Sequence, residues 1–132
     1  MEETILRLTK LLHTFLDSPV IPFDHNLKHS LPKNGGVYRL FETQNLDWQN
    51  SIYIGKSIDL QRRIYTNHLM GNRQASTLKR KMIKSGEYIG EIAVKKYLIE
   101  KCSLQVITIE DVSERIAFEH FAIAILKPIF ND

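Results

Sequence analysis

The chain has 132 residues, 43% of them hydrophobic and 25% charged, with a formal net charge of +3. That length allows one ordinary domain with a real core, and is too short for a catalytic domain joined to a substantial separate DNA-binding domain. The small net charge does not establish a nucleic-acid partner, no apolar run reaches membrane-spanning length, and Met1-Glu2-Glu3 does not open a secretory signal. The single cysteine, Cys102, excludes an intrachain disulfide and any cysteine-based zinc site, and reads as a small buried residue in a reducing, cytoplasmic compartment.

Thr4 to Asp17 places Ile5, Leu8, Leu11, Leu12 and Phe15 at helical spacing, which predicts an amphipathic helix covering one side of the core or a partner chain. Ser18 to Gly35, punctuated by Pro19, Pro22 and Pro32, reads as an irregular approach to the first strand. Within it His25 and His29 are poor candidates for a metal site. In Gly36-Val37-Tyr38-Arg39-Leu40-Phe41, alternating residues predict a strand, and the β-branched and aromatic run Ser51-Ile52-Tyr53-Ile54-Gly55 predicts another. The polar, turn-rich stretch between them makes a hairpin the economical connection, with Tyr38 and Tyr53 within reach of one another.

After Gly55 the pattern changes to helical spacing, with Asp59 as N-cap and Leu60 and Ile64 on one face. Packed on the hairpin, such a helix holds Arg63 at the edge of the tyrosine surface; alone, Arg62 and Arg63 read as a solvated charge pair. Arg63 and Asn67 are one α-helical turn apart, and His68 points about 100° further round. From Arg73 to Lys84 the chain carries Arg73, Lys79, Arg80, Lys81 and Lys84 with no acidic residue, a basic face suited to a phosphate backbone or simply to solvent. Ile92 to Lys101 is predicted helical, and Leu104 to Ile109 is the third strand. Asp111 and Glu114 form a capping box for a helix that runs to Leu126 and ends at Pro128. These elements imply an α+β fold, with a small three-stranded mixed or antiparallel sheet flanked by helices.

Within that last helix, only Glu119 and His120 are polar between Ile116 and Leu126. A carboxylate on such a face demands a partner. A metal ion is one, Arg63 or another cation a second, and Arg115, one turn back, would make an ordinary surface ion pair. His120 reads as a histidine at the helix edge.

Taken together, Gly36-Val37-Tyr38, Tyr53-Ile54-Gly55-Lys56, Arg63, Glu119 and the pair Pro128 and Asn131 resemble the GIY-YIG nuclease family from Gly35 to Asn131, with valine for isoleucine in the first motif. The resemblance implies one nuclease-like domain over 1–132, with residues 1–34 as the lead-in and 35–131 as the catalytic core. It implies a DNA endonuclease that uses Mg²⁺ or Mn²⁺. Glu119 would bind the metal, Arg63 the transition-state phosphate, and Tyr38 would orient or deprotonate water. Tyr53 and Lys56 would position water and phosphate, and Asn131 would brace the site. Many members carry histidine where this chain has Asn67, which leaves Asn67 and His68 as auxiliary candidates. Lys56, Arg62, Arg73, Lys79, Arg80, Lys81 and Lys84 are the expected DNA contacts, and a homodimer is one route to a double-strand break. A binding module of the same fold without turnover is the alternative, ahead of a protein-binding accessory domain.

Overall fold

The structure is a computed structural model that describes residues 1–45 and 47–131. Its centre is an antiparallel sheet of four strands in the order β1-β4-β2-β3, formed by β1 (Ile21–Pro22), β2 (Gly36–Glu42), β3 (Ser51–Ser57) and β4 (Cys102–Thr108). The hairpin of β2 and β3 pairs Leu40 with Tyr53 and Tyr38 with Gly55. The sequence leads to three strands and a mixed or antiparallel sheet. Pairing is antiparallel throughout, and the fourth strand is the two-residue β1, too short for its alternation to show and placed inside the proline-bounded approach. That approach also holds a single turn, α2 (Leu27–Ser30).

Period-two alternation divides the sheet's side chains between two cores. Val37 and Ile54 pack with Phe15, Phe118, Ala122 and Leu126, beneath α1 (Glu2–Leu16) and α5 (Val112–Leu126). Tyr38, Leu40, Tyr53 and Leu104 face the other way, onto Leu60, Ile64, Leu69, Leu78, Met82, Val94 and Leu98. Leu60 stands just ahead of a π-helix at Arg62–Leu69, and the others come from that helix, from α3 (Thr77–Lys84) and from α4 (Glu91–Lys101). The local signals act as read: Asp59 Oδ1 accepts from Arg62 N at 3.0 Å, and Asp111 Oδ1 caps Glu114 N at 2.9 Å. α5 closes on Lys127 in the left-handed region just before Pro128.

The helix after Asp59 departs from the expected α-form. Met70 N bonds Tyr65 O at 3.0 Å, five residues back, which widens the turn so that, as well as residues four apart, residues five apart share a face. Ile64 and Leu69, both fully buried, are one such pair, and Arg63 and His68 are another.

At the outer edge of the sheet, β3 finds a partner in the segment that follows α5. Ile129 N and Phe130 N donate to Ser51 O and Ile52 O, and the Asn131 side chain closes the series on Ile54. No helix among the described residues is long and apolar enough to cross a membrane.

Candidate active site

Both motif tyrosines rise from the face that packs under the π-helix, with ring centroids 6.2 Å apart. The Tyr38 phenol lies flat against the backbone of Gly55: a Cβ there would stand 2.3 Å from Tyr38 Oη and 2.5 Å from Cζ. Gly36 is fixed in the same way, since a Cβ would fall 2.2 Å from Ile107 O. The two motif glycines are therefore close-approach positions, not turns.

The π-helix delivers His68 and Arg63 to the tyrosines, with Asn67 beside Arg63. His68, 1% exposed, places Nε2 2.6 Å from Tyr38 Oη and Nδ1 2.6 Å from Ser76 Oγ. Arg63 donates Nη2 to Thr77 Oγ1 at 2.7 Å and Nη1 to Ala75 O at 3.4 Å, and Tyr53 Oη lies 3.2 Å from that same Thr77 hydroxyl. Asn67 Nδ2 donates to Ala75 O at 3.2 Å. Arg62 is exposed, so Arg63 is the arginine aimed at the tyrosines. Burial pushes the Tyr38 phenol pKa up, helped by Tyr53 and Glu119, while the Arg63 guanidinium pulls it down. Burial also holds the His68 pKa well below its ordinary value, with Arg63 and Lys79 acting in the same direction.

Glu119 comes from the opposite layer. Lys56 shares the face of Ile54 by alternation, and its Nζ sits 3.3 Å from Glu119 Oε1, with the two side chains 39% and 12% exposed. Lys56, and not Arg115 or Arg63, is the partner: the Arg115 guanidinium is buried and donates to the carbonyls of Ile109 and Glu110. The carboxylate charge still reaches Tyr38 across the strand. Asn131 clamps the same strand, its Nδ2 and Oδ1 each 2.8 Å from the Ile54 carbonyl and amide. His120 is exposed, as its helix-edge position suggested.

The model of the GIY-YIG catalytic domain matches residues 34–123 of this chain. The chain belongs to the GIY-YIG family. Solved structures with the same fold include the GIY-YIG N-terminal endonuclease domain of UvrC from Thermotoga maritima bound to magnesium, its catalytic divalent cation. That match has a TM-score of 0.50 and 19% identity, and covers 83% of this chain and 99% of that one. A tyrosine-to-phenylalanine variant of the same domain, bound to its catalytic divalent cation, matches with a TM-score of 0.52 and 19% identity, covering 83% and 98%. At that identity the likeness is one of fold. No curated protein matches the chain.

In this GIY-YIG domain the donor set for a metal is sparse. No group of three or more His, Cys, Asp or Glu side chains converges among the described residues. A single carboxylate suits a hard cation that keeps water and substrate oxygens as its other ligands, and does not suit zinc. Glu119 fits that role, with Oε1 on Lys56 and the side chain 12% exposed.

The basic stretch divides in two. Arg80, Lys81 and Lys84 line a groove of about 440 Å³ with Ile129, Phe130 and Asn131, beside the clamp on β3. Lys81 also lies 5.9 Å from the Tyr53 ring centroid. Lys79 departs from the expected DNA face. It is 2% exposed, and its ammonium donates to the carbonyls of Leu69 and Gly71, where the π-helix ends. Burial and Lys95 lower its pKa to about 8, against the pull of Glu91. The cause is periodicity: Leu78, Lys79 and Met82 share the buried side of α3, and a long stem carries the charge to carbonyls at its far end. Arg73 pairs with Glu91 and so reaches solvent already neutralised.

The sequence reading passed over Ser76 and Thr77. Ser76 caps α3 by accepting from Lys79 N at 3.0 Å and also holds His68, while Thr77 joins Tyr53 to Arg63. The available signal was Ser-Thr immediately ahead of a helical run, legible as an N-cap though not as a site.

Proposed function

We propose that this GIY-YIG domain is a metal-dependent DNA endonuclease that hydrolyses phosphodiester bonds at the junction of β2, β3, the π-helix and α5. The observation that carries the reading is the convergence on Gly55. Two tyrosines and Arg63 approach one side of β3 while Lys56 and a half-buried carboxylate approach the other.

Glu119 holds Mg²⁺ or Mn²⁺, which when bound supplies Lewis-acid neutralisation of phosphate and leaving-oxygen charge. Arg63 presents a planar fork to the non-bridging oxygens of the scissile phosphate. Thr77 and Ala75 hold that fork in place before substrate arrives. Tyr38 orients the attacking water and takes its proton. Burial keeps the phenol protonated and the positive charge of Arg63 beside it offsets only part of that, so the role needs the further positive charge that a bound cation would add. Tyr53 and Lys56 position water and phosphate, and Asn131 keeps β3 straight beneath them. Arg62, Arg80, Lys81 and Lys84 attract and guide the DNA backbone.

Plasmid, linear duplex and branched DNA incubated with Mg²⁺ or Mn²⁺ test this. Cleavage that vanishes with chelator and in Glu119→Ala, while Arg63→Ala keeps DNA affinity and loses turnover, is the expected result. Glu119→Ala cleaving as fast as wild type would refute the metal assignment. DNA binding without cleavage in either metal would instead identify a binding module.

A further inference from the structure

His68 lies between two hydroxyls, and its tautomer decides which of the two hydroxyl protons finds an acceptor on the imidazole. A neutral imidazole has one donor and one acceptor nitrogen. His68 is held neutral because it is buried and because Arg63 and Lys79 face it, with Tyr38 and Tyr53 as the other titratable neighbours. Ser76 is wholly buried, and its Oγ already accepts the Lys79 amide. The Ser76 hydroxyl proton has one acceptor within reach among the described residues, His68 Nδ1 at 2.6 Å. Nδ1 is then the acceptor, Nε2 carries the proton, and the 2.6 Å contact to Tyr38 is a donation from His68 to the phenol oxygen. The phenol proton is left to face the site.

We propose that Ser76 fixes His68 as the Nε2-protonated tautomer, and that His68 is a positioning donor that stabilises the Tyr38 phenolate without ever accepting its proton. The one-residue widening of the π-helix makes this possible, since five-residue stacking brings His68 over Arg63 and onto Tyr38. The inference rests on the reading of Tyr38 as the group that takes a proton from water. In the balanced step, Tyr38 first releases its own proton to solvent. A water O–H bond then breaks and that proton goes to the phenolate; the hydroxide forms a bond to phosphorus as the bond to the leaving oxygen breaks. That oxygen keeps the electron pair and takes a proton from solvent in place of the one Tyr38 released. His68 keeps its proton throughout. A low basicity suits this role, whereas a proton acceptor would need the opposite.

Two measurements test the assignment. The first is the two-bond proton–nitrogen spectrum of ¹⁵N-histidine-labelled wild-type protein, which needs neither a variant nor activity. The other four histidines, His13, His25, His29 and His120, are exposed, and in the expected result the buried His68 shows the Nε2–H pattern at both pH 6 and pH 8. A protonated Nδ1 at either pH would overturn the proposal. The second is single-turnover DNA cleavage by His68→Gln and His68→Ala, each checked for a native amide spectrum. Glutamine retains a donor near the Nε2 position, so His68→Gln is expected within about tenfold of wild type, and His68→Ala about 100-fold down, the scale of losing one donor to a developing anion. Equal loss in both variants would refute donation. Full activity in Tyr38→Phe would sink the reading of Tyr38 and the catalytic half of this inference with it, whereas the wrong tautomer sinks this inference alone.

Discussion

Gly55→Ala adds one carbon where the site has no room for it. The new Cβ would sit 2.3 Å from Tyr38 Oη and 2.5 Å from Cζ, against an ordinary contact of about 3.5 Å, so the phenol must move by roughly 1 Å. It cannot swing away freely, because the ring is buried and its oxygen is held 2.6 Å from His68 Nε2. Overpacking of this kind destabilises by about 1–3 kcal/mol. A displacement near 1 Å of a reacting group slows turnover by about 100-fold. Arg63 and Lys56 are untouched, so affinity for a non-cleavable or metal-free DNA duplex should change by less than about twofold. Urea unfolding, equilibrium DNA binding and single-turnover cleavage, all on the same preparation, separate the three effects. Tyr38→Phe removes the atom of closest approach, so the stability cost of Gly55→Ala should shrink in that background, a coupling that a double-mutant cycle reads directly. Gly55→Ala that cleaves within threefold of wild type would refute the placement of Tyr38 against the strand and its role in the reaction.

Asn131→Ala removes both side-chain bonds to Ile54 and reopens the edge of β3, which should destabilise the fold by about 1–3 kcal/mol in urea melts. Unchanged stability there would deny the clamp. Arg80→Ala should flatten the dependence of log DNA affinity on log salt by about 0.9, while Lys79→Met should leave the slope alone and lower stability. An equal change in slope for both would return Lys79 to the DNA face. Because burial lowers the Lys79 pKa to about 8, the folded protein releases this proton before the unfolded chain does. Between about pH 8 and the ordinary lysine range the unfolded state binds more protons, so stability from this group rises with pH. The stability of wild type relative to Lys79→Met should therefore increase from pH 7.5 to 10, and a falling difference would contradict the burial of a charged Lys79.

Much of this molecule was legible in its sequence because the decisive signals are local. Alternation announced β2 and β3, capping residues announced that helices follow Asp59 and Asp111, and the helix that ends at Pro128 announced where Glu119 sits on its layer. Two things were not local. The pairing of β1 with β4 joins residues more than 80 positions apart through two residues with no pattern of their own. The burial of Lys79 depends on where the carbonyls of Leu69 and Gly71 end up, which no charge count reveals. A basic stretch reads as a surface until its helix phase is known.

The π-helix is the clearest case of a spacing rule giving way to tertiary structure. With α-helical spacing, Asn67 is the residue stacked on Arg63 and His68 faces elsewhere. With five-residue stacking, Ile64 and Leu69 stay together in the core while Arg63 and His68 stay together over the tyrosines. Both pairs are kept by the same widening. The hydrophobic pair thus selects the irregular helix, and the polar pair inherits its geometry. A motif read at fixed spacing would assign the auxiliary place to Asn67. Here Asn67 bonds the Ala75 carbonyl, and the side chain that reaches the phenol is one residue further along.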